Sequence, residues 1–212
     1  MNDVQLKTDA DVRAAYLSAA ELKLAASLIF QAYHDDPVFM AIFDTGSGDY
    51  EQKLRGAIRE ELAAFWQAQQ PILGLYSGEA LVGVACLHCP DSGFSSERFW
   101  HWRLKMMLSA GYVSTKQMIE KENKLIDAVP FKRFHILSFI AIHPLHQHHG
   151  FGHYLMAAVN ATFADDAESE GVVVYVTTQK YQSFFDECDY QTLTQISVGE
   201  VTGPVMVHYR GE

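Results

Sequence analysis

The chain has 212 residues and a formal net charge of −10, from 26 acidic against 16 basic side chains. Hydrophobic residues at 49% and aromatic residues at 12% supply a full core without metal or disulfide staples, which excludes disorder as the main theme. An acidic surface with Lys132-Arg133 as its only adjacent basic pair excludes ordinary phosphate-backbone binding, so no nucleic-acid partner is expected.

Three cysteines, an odd number, do not make a disulfide framework. No apolar run approaches the ~18 residues that a membrane-spanning helix needs. Residues 1–5 lack the basic start and apolar stretch of a signal peptide. A cytoplasmic location without a membrane partner is the expectation. No repeat, low-complexity tract or linker interrupts the sequence, so residues 1–212 read as one domain.

In chain order, residues 1–10 are polar and expected to be loose. Residues 19–33 read as a helix, with Leu22, Ala25, Ala26, Ile29 and Phe30 at three-to-four spacing. It stops before His34-Asp35-Asp36-Pro37, because the residue before a proline avoids helical torsions. Residues 45–49 form a loop with two glycines. Residues 50–69 follow as a second helix carrying Leu54, Ala57, Ile58, Leu62 and Phe65 on one face. Residues 72–76 and 80–88 read as a hairpin around Ser77-Gly78-Glu79. After a loop at 90–96, an additional helical segment over 97–129 divides at Gly111.

Residues 134–142 are almost wholly apolar and predict a central strand. A loop over 143–149, a helix over 150–170 and a buried strand over 172–177 follow. A short helix at 181–188 and a closing hairpin of 191–198 with 205–210 complete the chain. The fold class is α/β (α+β): a mixed, mostly antiparallel sheet with one parallel β-α-β crossover, flanked by helices.

The segment that carries chemistry is LSFIAIHPLHQHHGFGHYLM, residues 137–156. A buried strand enters a loop with two glycines, and the loop enters a helix. That order aims unpaired backbone N–H groups and the positive end of a helix dipole at one point, where a phosphate binds. A dinucleotide site needs G-x-G-x-x-G and a later acidic residue. Here Leu155 stands at the third glycine, the next strand ends in Thr177-Thr178, and the P-loop lysine is absent. Both nucleotide readings fall, leaving Q-x-x-G-x-G at Gln147, Gly150 and Gly152.

With that loop the sequence resembles the GNAT acetyltransferase superfamily, whose signature is a pyrophosphate loop for coenzyme A. The order of elements over 12–210 is similar, with helices between the first two strands and a hairpin at the end. Residues 182–190 look like the family's helix ending in F-Y-E-x-x-G-F. Asp35-Asp36-Pro37-Val38-Phe39, and Gly203-Pro204 leading to Arg210, resemble a subgroup similar to puromycin N-acetyltransferase.

The resemblance implies acetyl-CoA or another acyl-CoA as cosubstrate. Phe139, Ile140 and Ile142 would pair with the pantetheine arm as an added strand does. Gln147, His148, His149, Gly150, Phe151, Gly152 and His153 would hold the pyrophosphate, with Phe185 beside them. The backbone amide of Ile140 would polarise the thioester carbonyl. Ser138 stands where the family often has an acid, and Thr178 or Tyr181 where an asparagine is usual. The usual general-acid tyrosine is Phe185 here, so Tyr181, four residues earlier and on the same helical face, is the replacement candidate. His135 is a second ionisable candidate near the reaction centre. Asp35 and Asp36 either attract a cationic amine acceptor or cap a turn.

Five histidines crowd residues 143–153, but no physiological metal is expected, because no two share a helix face with a third ligand. His148 and His149 read better as phosphate-facing cations. Cys86 and Cys89 flank His88 without a second pair and read as packing residues. Phe99, Trp100 and Trp102 line an acceptor pocket or pack the additional helices. The leading expectation is an N-acetyltransferase acting on a small-molecule amine. A catalytically degenerate acyl-CoA sensor is the alternative, and protein acetylation ranks below both. A homodimer remains open.

Overall fold

The computed structural model describes residues 12–90 and 96–211. One seven-stranded sheet organises them, in the order β1-β2-β3-β4-β5-β7-β6. The strands are β1 (Val12–Tyr16), β2 (Ile72–Ser77), β3 (Ala80–His88), β4 (His135–Ile142), β5 (Gly171–Tyr175), β6 (Gln191–Val198) and β7 (Val201–Tyr209). All pairs are antiparallel except β4 with β5. The helices are α1 (Leu22–Tyr33), α2 (Pro37–Phe43), α3 (Tyr50–Gln67), α4 (Ser96–Ala110), α5 (Tyr112–Asp127), α6 (Phe151–Ala164) and α7 (Gln182–Glu187).

The mixed sheet with a single parallel crossover is as expected, and so are the hairpin and the buried central strands. Alternate side chains of β3 and β4 divide the core into two layers. Val84, Cys86, Phe139 and Ala141 join the α1–α5 face, whereas Ala85, Leu87 and Leu137 join Leu155, Met156 and Val159 of α6.

The structure differs from these expectations at three places. Asp36 starts the extra helix α2, its Oδ1 accepting from the backbone N–H groups of Val38 and Phe39 at 3.0 and 3.1 Å, with Pro37 at the first helical position. The helix expected to reach residue 170 ends at Ala164. There the Arg210 guanidinium donates to the carbonyls of Phe163 (3.0 Å), Asp166 (2.5 Å) and Ser169 (2.9 Å), satisfying orphan acceptors beyond the helix. Finally, β7 begins at Val201 rather than 205 and inserts between β5 and β6.

Residues 1–10 lie outside the described residues, as do the side chains of Phe99 and Trp100. Trp102 is buried in the α1–α5 layer.

The tightest glycine is Gly203 in β7, where a Cβ would stand 2.2 Å from the Val176 carbonyl oxygen. The neighbouring Pro204 carbonyl accepts from Val176 N–H at 2.9 Å, which fixes this approach. Gly203→Ala is expected to destabilise the fold by about 2–3 kcal/mol through overpacking against backbone. At ~2–4 °C per kcal/mol for a chain of this size, calorimetry will read a Tm lowered by roughly 5–10 °C. An unchanged Tm would contradict this packing.

Candidate active site

β4 and β5 are paired only at His135 with Val172 and Ile136 with Val173. Beyond those two pairs the strands part, and a cavity of about 1540 Å³ opens between them. A drug-sized ligand typically occupies a pocket of ~300–1,000 Å³, so there is room for a long cosubstrate and a second molecule. Residues 136–142 of β4 form one wall, residues 174–181 the opposite wall, and the loop before α6 closes one end.

A bulge sets the polarity of the β4 wall. Cys86 pairs with Phe139 and Leu87 with Leu137, leaving Ser138 as an extra residue on β4. Past the bulge, the polar backbone groups of Ile140 turn away from β3. Its N–H donates to the Tyr33 hydroxyl at 3.1 Å, and that hydroxyl donates to the Ile140 carbonyl at 3.2 Å. The amide singled out in the sequence therefore faces the cavity, but Tyr33 at the end of α1 already engages it.

The loop into α6 is built from capping contacts. His143 Nδ1 accepts from Leu145 N–H at 3.3 Å, and the Gln147 side-chain amide donates to the Ile142 carbonyl at 3.1 Å. His148 and Gly150 adopt positive φ, +63° and +79°. Those torsions turn the chain so that α6 starts at Phe151; the His153 N–H turns back to the Gly150 carbonyl at 3.0 Å, which leaves the Phe151 and Gly152 amides to face a ligand. Gln147, His148, Gly150, Phe151, Gly152 and His153 all line the cavity. His153 Nε2 also lies 3.3 Å from the Glu187 carboxylate.

Several expectations need correction in their placement. The His149 ring is folded back, its Nδ1–H donating to the Gln147 carbonyl at 2.7 Å, and it does not line the cavity. Gly152 was expected to make room for phosphate. The structure adds another reason: a Cβ there would stand 2.9 Å from the Phe184 ring.

His135 sits where β4 and β5 are still paired, 1% exposed, with Nδ1 2.9 Å from Ser169 Oγ and its ring edge-on to Phe163. Burial pushes its pKa down. It is a packed histidine outside the cavity wall, not a group beside the reaction centre.

Asp35 and Asp36 both border the cavity but differ in use. Asp36 is buried, capping α2 with one oxygen and accepting from the Thr177 hydroxyl with the other. It ties α2 to the end of the opposite wall, which leaves little of it for an incoming cation. Asp35 is open to solvent and contacts His34 Nδ1 at 2.6 Å. Both belong to one of the segments behind the expected puromycin-type subgroup, and Gly203-Pro204 to the other. Here those segments cap, pack and pair.

Phe185 is buried among Leu155, Val174 and Tyr190 and offers no proton. Tyr181, half-exposed, lies on the cavity wall one turn earlier. Phe139 turns its ring to the α1 side, 5.5 Å from Tyr33 and 6.3 Å from Phe39, while Ile142 lines the cavity on the other side of the strand.

At its far end the cavity meets a polar group absent from the expected site: Glu61, His88, Lys121 and Glu122. His88 lies against Phe65 with ring centroids 4.1 Å apart, and its Nε2 is 4.0 Å from Glu122. Burial first, and the Glu122 carboxylate second, push Glu61 up to about 8. Burial also raises Glu122 and lowers His88 to about 4. Low polarity around two acids favours a cationic guest that would restore their ionised form. A sequence signal existed. Glu61 follows Ala57 by four residues and Ile58 by three, and Glu122 follows Met118 by four, so each carboxylate interrupts an apolar helix face.

Among the described residues, no three His, Cys, Asp or Glu side chains come together as a metal group, and no helix is long and apolar enough to cross a membrane. Cys86 is buried and Cys89 donates its backbone N–H to Gln70 at 2.8 Å.

No protein-family model and no curated protein sequence matches the chain. Solved structures do. The chain is similar to a histone acetyltransferase HPA2 and related acetyltransferase from Corynebacterium glutamicum, with TM-score 0.70, 15% identity, and coverage of 95% of this chain and 98% of that one. It is similar to the PaiA N-acetyltransferase from Thermoplasma acidophilum in complex with coenzyme A (TM-score 0.60, 12% identity, 94% and 99% covered). A mosquito arylalkylamine N-acetyltransferase-like protein gives TM-score 0.57 at 10% identity, with 94% and 100% covered. Over more than nine-tenths of its length the chain has the fold of the GNAT N-acetyltransferases among these structures.

Proposed function

We propose that this protein is an acyl-CoA-dependent N-acetyltransferase that moves an acetyl group from acetyl-CoA to a small-molecule amine. The observation that carries the reading is a single cavity containing both a phosphate-type loop at a helix start and, at its other end, two half-buried carboxylates. The similar structure from Thermoplasma acidophilum holds coenzyme A, which supports the same occupant here. His88 pairs with Ile136 on β4, four residues from Ile140, or roughly 13 Å at ~3.3 Å per residue. An acceptor of modest size can span that distance with its cationic part toward Glu61 and Glu122.

In this reading the loop amides and His148 hold the pyrophosphate, and the edge of β4 aligns the pantetheine arm. The amine lone pair attacks the thioester carbon and its π pair moves onto oxygen. The C–S bond then breaks toward sulfur, and the proton lost by nitrogen ends on the CoA thiol. Tyr181 is the candidate donor to that sulfur. Asp35, at the exposed rim, adds negative potential for an approaching amine.

The test is mass spectrometry of ligand that co-purifies with the protein, followed by thiol release from acetyl-CoA against a panel of amines and diamines. Acetyl-CoA binding with amine-dependent thiol release supports transfer. Binding without release by any amine supports the acyl-CoA sensor, a reading favoured by the apolar Phe185. Absence of binding removes both.

A further inference from the structure

Tyr33 belongs to no sequence motif, yet its hydroxyl touches the backbone group on which the reading above depends. The Oη atom accepts from Ile140 N–H at 3.1 Å and donates to the Ile140 carbonyl at 3.2 Å. Those two groups are the ones an added strand or a thioester oxygen would use. The hydroxyl thus stands where the oxygen of a bound thioester would sit, acting as its placeholder.

The side chain cannot swing far from that point. Tyr33 is the last residue of α1, its ring is 5.6 Å from Phe39 and 5.5 Å from Phe139, and Asp36 follows three residues later on the α2 cap. An oxygen that took over the Ile140 N–H would displace the hydroxyl by about one hydrogen-bond length, ~3 Å, within reach of its present ring packing, and free its O–H to donate to the newcomer. Burial raises the hydroxyl well above the ordinary tyrosine pKa, and the nearby Asp36 carboxylate adds to the rise. A phenol held that way keeps its proton and acts as a neutral donor.

We propose that Tyr33 is the second hydrogen-bond donor to the thioester oxygen, completing with the Ile140 amide the site that stabilises negative charge on that oxygen during acetyl transfer. The proposal rests on the coenzyme reading above. Tyr33 forms no covalent bond and gives up no proton: its hydrogen bond to that oxygen shortens as the C=O π pair moves there, and lengthens again when the π bond re-forms and the C–S bond breaks. Loss of one such donor typically lowers turnover by ~10²–10³-fold.

The experiment compares wild type with Tyr33→Phe, using acetyl-CoA labelled with ¹³C at the carbonyl. Calorimetry measures affinity and isotope-edited infrared difference spectra report the bound carbonyl stretch. In the wild type the stretch is expected below that of free acetyl-CoA. Tyr33→Phe is expected to return it part of the way while acetyl-CoA affinity is kept or improved, since the variant no longer competes for Ile140. With an amine found by the thiol-release panel, kcat is expected to fall ~10²–10³-fold without a matching rise in KM. A wild type that binds acetyl-CoA, with a stretch unchanged by Tyr33→Phe, overturns the role of Tyr33 and leaves the coenzyme reading standing. A wild type that does not bind acetyl-CoA overturns both. If Tyr33→Phe is less stable than wild type, Tyr33→Met, which fills the site flexibly and has no hydrogen-bond donor, must show the same returned stretch.

Discussion

Gly150→Val is expected to bind CoA at least ~100-fold more weakly than the wild type, a loss of ~2.7 kcal/mol. The reason is backbone torsion rather than crowding. A Cβ at Gly150 would meet nothing within 4 Å, but the residue holds φ at +79° immediately before α6. A β-branched residue there is a genuine outlier, and strained positions of this kind cost ~1–3 kcal/mol. The chain relieves that strain by rotating the peptides on either side, and these carry the amides that are expected to meet the phosphates. Gly150→Asn provides the control, because asparagine tolerates left-handed torsions. It is expected to retain most of the affinity. Calorimetric titration with CoA, beside a melting curve for each variant, checks both. Equal affinity for wild type and Gly150→Val would show that the loop does not hold the coenzyme. Gly152→Val is less informative, since the added atoms strike Phe184 and disturb the packing of α7 on α6.

The stability of the protein is expected to fall as pH rises from about 6.5 to 8, and Glu61→Gln is expected to flatten that fall. Glu61 has its pKa raised from 4.5 to about 8 by burial and by the Glu122 carboxylate. Between those values the folded chain binds a proton that the unfolded chain has released, so the contribution of Glu61 is lost as pH rises and levels off above about 8. The partly exposed surface of Glu61 opens into the cavity, where water screens the charge. A tenfold change in proton affinity is worth ~1.4 kcal/mol, so a screened cost of about 2–3 kcal/mol is expected by pH 9.

His88 acts on the other side. Its pKa is lowered from 6.5 to about 4, so its contribution is lost as pH falls through that interval. Between about pH 6.5 and 8 the glutamates therefore dominate, before the Cys86 and Cys188 thiols, both raised above their ordinary value of 9 by burial, begin to add to the fall. Thermal melts should place Glu61→Gln roughly 5–10 °C above wild type at pH 9, with the gap narrowing toward pH 5. A gap independent of pH would show that Glu61 is ionised in the folded protein at neutral pH. A cationic amine at this end of the cavity should raise the wild-type Tm at pH 9 and affect Glu61→Gln much less.

Much of the fold was legible because its signals are local. The three-to-four spacing of Leu54, Ala57, Ile58, Leu62 and Phe65 fixes α3 and its buried face. The apolar run into Ile142, two glycines and the helix after them define the loop and its chemistry. Helix starts and stops were less legible. The end of α6 is set by Arg210, 46 positions beyond Ala164 in sequence order. Arg210 occupies its place only because β7 lies against β5.

The site divides along the same line. Sequence by itself determined that a buried strand carrying Ile140 leads into a phosphate-type loop with two glycines at a helix start. Those features depend on residue type and spacing within some twenty positions. Only the tertiary structure decided that Tyr33, 107 positions from Ile140, fills its hydrogen bonds, that His135 and His149 turn away, and that Asp36 is consumed by its cap and Thr177. It also brought Glu61 and Glu122 from two helices to one cavity. A hydrogen bond or a pKa depends on atoms within a few ångströms, and chain separation does not encode which distant atoms those are. The parting of β4 and β5 after two residue pairs is the clearest case. Each strand alone reads as an ordinary buried strand, and the gap between them exists only where both stand in the same sheet.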